Sequence, residues 1–287
     1  MILVADSGSS KCDWVLINNH GEWVDKIKTE GLNPLLLSKK NISNTIDKVQ
    51  HLLNKKHDST IDKIYFYGAG CGSSGSGNLI KDLLYTTFNQ AKYIRVEEDI
   101  IAAVHATTQE PGVICILGTG ANCCYFDGRR VIQKTPALGY LLADEGSGNY
   151  FGREVIKSYY LKKLPLDLEE SFEKEFGADL NLLLQKLHNV DSPNKYLASF
   201  ATFIFKHRQH PFIENMLHQG IAKFIDSYLL NYKEELLDSP IHFVGSIAYY
   251  AQDVIKKSLD ERGFIVKSFI KKPVGHLVNN IINKNIL

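Results

Sequence analysis

The chain has 287 residues, enough for two domains of ordinary size, and its 44% hydrophobic and 23% charged residues are typical of a globular protein. A formal net charge of +1 excludes the broad basic field that attracts nucleic acid. No apolar stretch approaches the roughly 20 residues that span a bilayer, and the N-terminus lacks the pattern of a signal peptide. We therefore expect a cytoplasmic protein that binds neither nucleic acid nor membrane.

The five cysteines predict neither a disulfide framework nor a zinc site. Their number is odd, and no two of them form a CxxC pair. We expect most of them to be small buried hydrophobic side chains. The ten histidines show no HExxH spacing, so they do not predict a metal site either.

The first segment of the chain joins an apolar run to a turn of small residues. Residues 2–5 predict a buried strand that ends at Asp6. The turn consists of Ser7, Gly8, Ser9, Ser10 and Lys11. Consecutive backbone N–H groups in such a turn can bind an anion, and a divalent cation would reconcile the Asp6 carboxylate with a phosphate. The segment therefore predicts a metal–nucleotide site, with an ordinary strand–turn as the alternative.

The rest of the first half alternates between strands and helices. Residues 12–18 and 22–28 predict two strands joined by a hairpin turn at 18–21. The chain then predicts a helix at 41–53, a strand at 61–67, a glycine-rich loop at 68–77, a helix at 79–88, a strand at 93–97 and a helix at 100–107. This order indicates an α/β domain.

The same order begins again after residue 112. A strand at 113–117 ends in Gly118, Thr119 and Gly120, and strands at 122–126 and 131–134 flank a hairpin turn. There follow a loop at 139–148, helices over 150–235, a strand at 241–244 that ends in Gly245 and Ser246, a helix, and a last helix from 273. The repeat predicts two related α/β domains, 1–110 and 111–272, that bind a nucleotide between them. The C-terminal helix, 273–287, is a candidate addition to the first domain.

Several polar residues allow both a chemical and a structural interpretation. Asp99 follows two glutamates at a strand end, so it could cap a helix or orient an attacking hydroxyl and accept its proton. Asp144 could cap a helix or bind sugar hydroxyls, and Asn33 could contact a ligand or form a turn. Gly118–Gly120 could hold a phosphate or form a tight turn, and the glycine at 245 could admit adenine or ribose or form an ordinary turn between strand and helix.

Taken in order, these segments resemble the actin/hexokinase/Hsp70 ATPase superfamily. Within it they are most similar to the BadF/BadG/BcrA/BcrD-type ATPase family, and especially to its N-acetylglucosamine kinases. The resemblance rests on residues 6–11, Asn33, 68–70, Glu98 and Asp99, 118–122, Gly139, 144–147 and 244–246.

The resemblance implies two ribonuclease-H-like (actin-like ATPase) domains with an interdomain cleft, the second domain being enlarged by helices. It implies an ATP-dependent sugar kinase that phosphorylates the 6-hydroxyl of N-acetylglucosamine or a related amino sugar, with Asp99 as base and with Mg²⁺ held by Asp6 through water. The nucleotide would contact Ser7, Gly8, Ser9, Ser10, Lys11, Gly118, Thr119, Gly120, Gly245 and Ser246. The sugar would contact Asn33, Gly70, Asp99, Asn122, Gly139 and Asp144.

Two positions depart from the family pattern. Ser9 and Ser10 stand where relatives have adjacent glycines, which would strain the turn if position 9 needed a positive φ. Leu138 stands where sugar kinases of this group can carry an aromatic residue, so a stacking contact with the sugar would be lost. Relatives pair through the larger domain, so a homodimer is also expected.

Two other functions stay open for the sequence. One is an ATPase that activates a reductase or dehydratase and holds an iron–sulfur cluster, although Cys115, Cys123 and Cys124 are poorly placed for one. The other is a non-catalytic sensor of sugar or nucleotide.

Overall fold

The computed structural model describes residues 1–57, 60–189 and 192–283. They form two compact units. Unit 1 contains Met1–Gln109 and the chain from Lys272 onward, and unit 2 is Glu110–Lys271. Among the described residues, none of the helices has the length and hydropathy of a membrane span.

Both units are built from strands and α-helices. The strands are β1 Ile2–Ser7, β2 Cys12–Ile17, β3 Trp23–Thr29, β4 Lys63–Gly68, β5 Tyr93–Glu98, β6 Gly112–Leu117, β7 Ala121–Phe126, β8 Val131–Ile132, β9 Ile241–Val244 and β10 Val266–Ile270. The helices are α1 Lys39–Lys56, α2 Ser74–Thr87, α3 Asp99–Thr107, α4 Gly148–Tyr160, α5 Leu166–Phe176, α6 Leu180–Asn189, α7 Pro193–Ser199, α8 Thr202–Lys206, α9 Pro211–Ser227, α10 Ser246–Tyr250, α11 Gln252–Asp260 and α12 Val274–Ile282.

Unit 1 is a five-stranded mixed sheet in the order β3-β2-β1-β4-β5. The first three strands pair antiparallel, whereas β4 and β5 extend the sheet in parallel. Side chains alternate between the two faces. Leu3 packs with the apolar stripe of α1 and α2, and Val4 packs with α3 and α12 on the other face.

Helix α12 completes one face of unit 1, although it follows unit 2 in the chain. Its Leu277 and Val278 are fully buried in the cluster that also contains Val4, Tyr67 and Ala102. Without α12, the sheet face that carries Val4 and Tyr67 would be only partly covered, by α3.

Unit 2 repeats the strand arrangement of unit 1. Its sheet has the order β10-β9-β6-β7-β8, with antiparallel pairing from β6 to β8 and parallel pairing from β6 to β10. Helices α4 to α9 lie between β8 and β9 in the chain, and their aromatic side chains build a large core with Phe243 of β9. The structure confirms the predicted fold class: α/β, with two ribonuclease-H-like halves, of which the second is enlarged by helices.

Some predicted boundaries are wrong. Helix α2 begins at Ser74, inside the predicted loop, because the Ser73 side chain accepts the Ser76 N–H at 3.2 Å and caps the helix. Strand β10 was missed because charged and polar residues interrupt its apolar pattern, and it lies at the edge of the sheet. Strand β8 is shorter than predicted.

Candidate active site

The first predicted phosphate loop is the turn of the β1–β2 hairpin in unit 1. Ser7 and Cys12 are the last paired residues of these strands, so residues 8–11 form the turn. None of these four residues has a positive φ. The serine at position 9 is therefore unstrained, and the departure from a glycine-rich turn does not distort the backbone.

Residues 31–33 pack directly against this turn. The Leu32 N–H donates to Ser7 Oγ at 2.8 Å, and Asn33 Nδ2 donates to Ser9 Oγ at 3.3 Å. A Cβ at position 31 would overlap Gly8 O, so only glycine permits this close approach. The sequence analysis missed Gly31, for which the only signal was its place in a short loop.

Two carboxylates face each other across β1 and β2. Asp6 is paired directly with Asp13, which is buried and lies 3.4 Å from Lys26 Nζ through its Oδ1. Burial and the negative charge of Asp13 raise the pKa of Asp6 to about 7, against the opposing effect of Lys11 and Lys26. Such a pair favours a bound cation.

The donor set at Asp6 suits Mg²⁺ rather than a metal enclosed by protein ligands. The described residues contain no group of three or more His, Cys, Asp or Glu side chains that could hold a metal ion. Mg²⁺ is commonly bound by one or two carboxylates together with water and phosphate oxygens. Asp6 and Asp13 fit that pattern.

The predicted sugar residues Asn33 and Gly70 lie against each other. Asn33 is buried, and its Oδ1 accepts the Leu35 N–H at 2.9 Å. A Cβ on Gly70 would overlap this same oxygen. Since Asn33 also bonds to Ser9, the structure brings Asn33, Gly70 and the first loop together.

Asp99 begins helix α3 at the end of the neighbouring strand. Gly68 and Glu98 are paired at the carboxyl ends of β4 and β5, so the segments holding Gly70 and Asp99 leave the same edge of the sheet. The interpretation of Asp99 as helix cap is wrong: the N-cap is Glu98, whose side chain makes no capping hydrogen bond. Asp99 instead lies in the first turn, where a negative charge complements the helix dipole.

The second predicted phosphate loop is the turn between β6 and β7 in unit 2. Leu117 and Ala121 are the last paired residues, so Gly118, Thr119 and Gly120 form the turn. The Gly148 N–H donates to Gly118 O at 2.8 Å, and the Asn149 N–H donates to Thr119 O at 2.9 Å. The first turn of α4 thereby fixes this loop.

Asp144 ties the loop before α4 to the same hairpin. It is buried and has a left-handed backbone, with φ 72°. Its carboxylate accepts the Ala121 N–H at 3.0 Å and Asn149 Nδ2 at 3.1 Å, and its own N–H donates to the Tyr228 hydroxyl at 3.1 Å. Burial nevertheless raises the pKa of Asp144.

Asn122 is held by a neighbour that the sequence analysis missed. Its Oδ1 accepts the Cys123 N–H at 2.9 Å and Gln133 Nε2 at 3.2 Å. Gly139 lies further along, and its carbonyl accepts the N–H groups of residues 142 and 143 at 3.2 Å and 2.9 Å. The described contacts do not join Gly139 directly to Asn122.

Gly245 joins the end of β9 to the second loop. Its φ of 116° is in the region that favours glycine, and a Cβ there would overlap Leu117 O. Ser246 begins the short helix α10 directly after it. In unit 2, therefore, the 118–120 loop, Asp144 and the Gly245–Ser246 turn lie close together. In unit 1, the residues that lie close together are Asp6, the first loop, Asn33 and Gly70.

The two sheets with the same strand order, the second enlarged by helices, define the actin-like ATPase fold. The sequence profile of the BadF/BadG/BcrA/BcrD ATPase family matches residues 5–274. The chain belongs to this family.

Several solved structures are similar to this chain over nearly its whole length. A protein from Porphyromonas gingivalis, described as a candidate N-acetylglucosamine kinase, shares 31% identity over 100% of both chains, with a TM-score of 0.91. A candidate N-acetylglucosamine kinase from Chromobacterium violaceum shares the fold at 13% identity, over 97% of both chains, with a TM-score of 0.71. A glucokinase from Streptomyces griseus does so at 13% identity, over 96% of this chain and 97% of its own, with a TM-score of 0.59. No curated protein matches the sequence.

Proposed function

We propose that this protein is a sugar kinase that transfers the γ-phosphoryl group of ATP to the 6-hydroxyl of N-acetylglucosamine or a closely related amino sugar. Membership of an ATPase family and the similarity to the P. gingivalis protein support this class of reaction. The geometry of unit 1 supports the choice of an alcohol acceptor.

The main support for the proposal is a contact between a residue predicted to bind the sugar and a residue predicted to bind the phosphates. Asn33 Nδ2 donates to Ser9 Oγ at 3.3 Å, so a residue proposed to bind sugar holds a residue proposed to bind phosphate. Gly70 abuts the Asn33 amide oxygen from the other side. A sugar hydroxyl bound at Asn33 would therefore lie beside the phosphate loop, as phosphoryl transfer requires.

The proposed roles of the residues follow from their chemistry. In unit 1, Asp99 accepts the proton of the 6-hydroxyl as its oxygen attacks phosphorus. The backbone amides of the 7–11 and 118–120 loops stabilise the charge on the phosphates. Asn33, Gly70, Asn122, Gly139 and Asp144 bind the sugar, and the Gly245–Ser246 turn accommodates adenosine. Mg²⁺, bound by Asp6 through water, would neutralise the phosphates during transfer.

Burial of the cysteines disfavours an iron–sulfur activator. All five are buried in the interior of their units. Cys115 and Cys123 are fully buried within the sheet of unit 2, with their sulfurs 3.4 Å apart. A cluster shared between subunits needs thiols at the surface, so the kinase is the better-supported function.

The test of the function is an ADP-release assay with Mg-ATP. The panel contains N-acetylglucosamine, N-acetylmannosamine, glucosamine and glucose, with a control lacking sugar. We expect N-acetylglucosamine or a near relative to raise ADP release at least 100-fold over the control. Thermal stabilisation by sugar without any ADP release would instead identify a sensor.

The first prediction concerns Asp99. Because Asp99→Asn keeps the size of the side chain but cannot accept the proton, kcat should fall by about 100-fold or more, with KM for sugar changed far less. The matched control is Asp82→Asn on the exposed side of α2, which should retain wild-type kcat. An Asp99→Asn enzyme with near-normal kcat would exclude the proposed base.

A further inference from the structure

A groove of about 710 Å³ follows the outer edge of β5 in unit 1. β5 is the last strand of its sheet, so its outer backbone N–H and C=O groups pair with no strand among the described residues. Residues of α2 and Ile101 of α3 also line the groove. The groove is polar, since side chains such as Ser73, Asn78 and Lys81 face it.

The groove adjoins the proposed acceptor site. Glu98 lies in its wall directly before Asp99, and a Cβ on Gly72 would lie 2.7 Å from Glu98 Oε2. Cys71, also in the wall, is close enough to both Asp99 and Glu98 for their negative charges to add to burial in raising its thiol pKa to about 12. Residues 71 and 72 follow Gly70, so one short segment links the two sites.

Side chains of opposite charge line the groove. Within the described part of the chain, neither the Glu98 carboxylate nor the Lys81 ammonium has a hydrogen bond or ion pair with another side chain. Arg95 lies on β5 and is already paired with Glu97 at 2.8 Å. Of the two cations that line the groove, Lys81 is therefore the one without a side-chain partner among the described residues, and Glu98 is the corresponding anion.

The position of Lys81 along α2 bears on the size of a ligand that fits the groove. Because β4, α2 and β5 form a parallel crossover, α2 starts beside the end of β5 that holds Glu98 and leads back toward Tyr93. Lys81 is seven residues beyond Ser74, or about 10 Å along the helix axis at 1.5 Å per residue. A substituent on a sugar at Asp99 could extend along this groove toward Lys81.

We propose that this groove is a second acceptor subsite, which binds a carboxylate-bearing substituent on the sugar whose hydroxyl reacts at Asp99. The Glu98 carboxylate accepts hydrogen bonds from hydroxyl or amide groups of the substituent, and the outer N–H groups of β5 donate to its oxygen atoms. Lys81 binds its carboxylate at the far end. The inference rests on the proposed function, because it takes the sugar to lie at Asp99.

The test uses matched acceptors and the full-length protein. N-acetylglucosamine is linked, through C1 in one pair and through O3 in another, to a phenyl ring with either a carboxylate or a carboxamide at its para position. We expect at least one pair in which the carboxylate has a KM about five-fold below that of the carboxamide, with similar kcat. Lys81→Gln should abolish this preference, and Lys81→Arg should restore it.

The control variant is Lys48→Gln on the exposed side of α1, which should keep the preference of the wild type. Two results would overturn the subsite: a wild type that does not prefer the carboxylate in either pair, and a preference that survives Lys81→Gln. If either result were found while plain N-acetylglucosamine was still phosphorylated, the proposed function would stand. The charged side chains on β5 would then serve only to protect the edge of the sheet from pairing with another strand. Absence of phosphorylation of every sugar would refute the proposed function itself.

Discussion

The glycine that the first loop needs lies outside the loop. Ser9 and Ser10 adopt ordinary backbone conformations, so the β1–β2 turn tolerates side chains at both positions. The close approach occurs instead at Gly31, which has no side chain to keep its backbone away from the Gly8 carbonyl. Glycine is therefore needed at position 31, in the segment that packs against the turn, and not at positions 9 and 10 of the turn itself.

This arrangement leads to a prediction for Gly31→Ala. The added methyl group must displace the backbone of the turn, which should destabilise unit 1 by about 1–3 kcal/mol and raise KM for ATP at least five-fold. Thermal unfolding and ADP-release kinetics measure the two effects.

The control for this substitution is Gly275→Ala in α12. A Cβ there meets no atom within 4 Å outside its own helix, so the change should stabilise unit 1 by about 0.5–1 kcal/mol. If Gly31→Ala behaved like Gly275→Ala, the support of the loop by residue 31 would be refuted.

Residues that bear a motif could be predicted from the sequence, whereas residues that support them could not. Asp6 and the 118–120 loop follow apolar runs, and that pattern marks a strand end. Gly31 packs against Ser9, which is 22 positions earlier in the chain. Gln133 donates to Asn122, which is 11 positions earlier. Such contacts depend on packing, which no local pattern contains.

At the scale of elements, each hairpin loop is fixed by a neighbouring element. The N–H groups at the start of α4 bind the carbonyls of the 118–120 loop, and Asp144 binds the first residue of β7. Gln133, directly after β8, holds the Asn122 amide oxygen. The Asn122 side chain is thereby oriented before any ligand arrives.

We predict that Gln133→Ala loosens Asn122 and weakens sugar binding. KM for the sugar should rise about three- to ten-fold, a loss of the size expected for one hydrogen bond, while kcat changes less than two-fold. Steady-state kinetics with the preferred sugar from the panel measure both values.

Arg129→Ala at the exposed tip of the β7–β8 hairpin is the matched control and should leave both values unchanged. A fall in kcat with constant KM in Gln133→Ala would contradict a role in positioning the sugar.

Elements with strong periodicity were predicted and edge elements were not. The apolar runs of β1 and β6 are buried on both faces, so their sequences identify them as strands. β10 has one exposed and four half-buried residues, which gives it no clear pattern. The start of α2 was missed because two glycines in its first turn masked the capping serine.

At the scale of the whole molecule, the two sheets have the same strand order and the same pairing directions. The repeat of strand, turn and hairpin near residues 1 and 113 allowed this duplication to be predicted. The helices that enlarge unit 2 follow from its long helical pattern. The sequence could not predict in detail how α12 packs, because an apolar face on a helix does not specify the sheet against which that face packs.

We predict that Leu277→Ala in α12 weakens unit 1 and not unit 2. Leu277 is fully buried in the cluster with Val4 and Ala102, so its truncation should cost about 2–5 kcal/mol. Hydrogen exchange should then accelerate in β1 and α3, which are far away in the chain, and not in β9 and β10, which are near.

The control is His276→Ala, an exposed position on the same helix, which should leave exchange unchanged in both units. Faster exchange confined to β9 and β10 in Leu277→Ala would contradict the assignment of α12 to unit 1.

The placement of α12 also bears on how the protein is made. A ribosome delivers β1 to α3 before unit 2, yet the sheet face that carries Val4 and Tyr67 is only partly covered, by α3, until residues 274–282 have emerged. Every strand of unit 2 has been synthesised by then. Unit 1 starts before unit 2 in the chain but can finish folding only after the last strand of unit 2 has been made, and its incompletely covered apolar face is what a nascent chain would present to chaperones in the meantime.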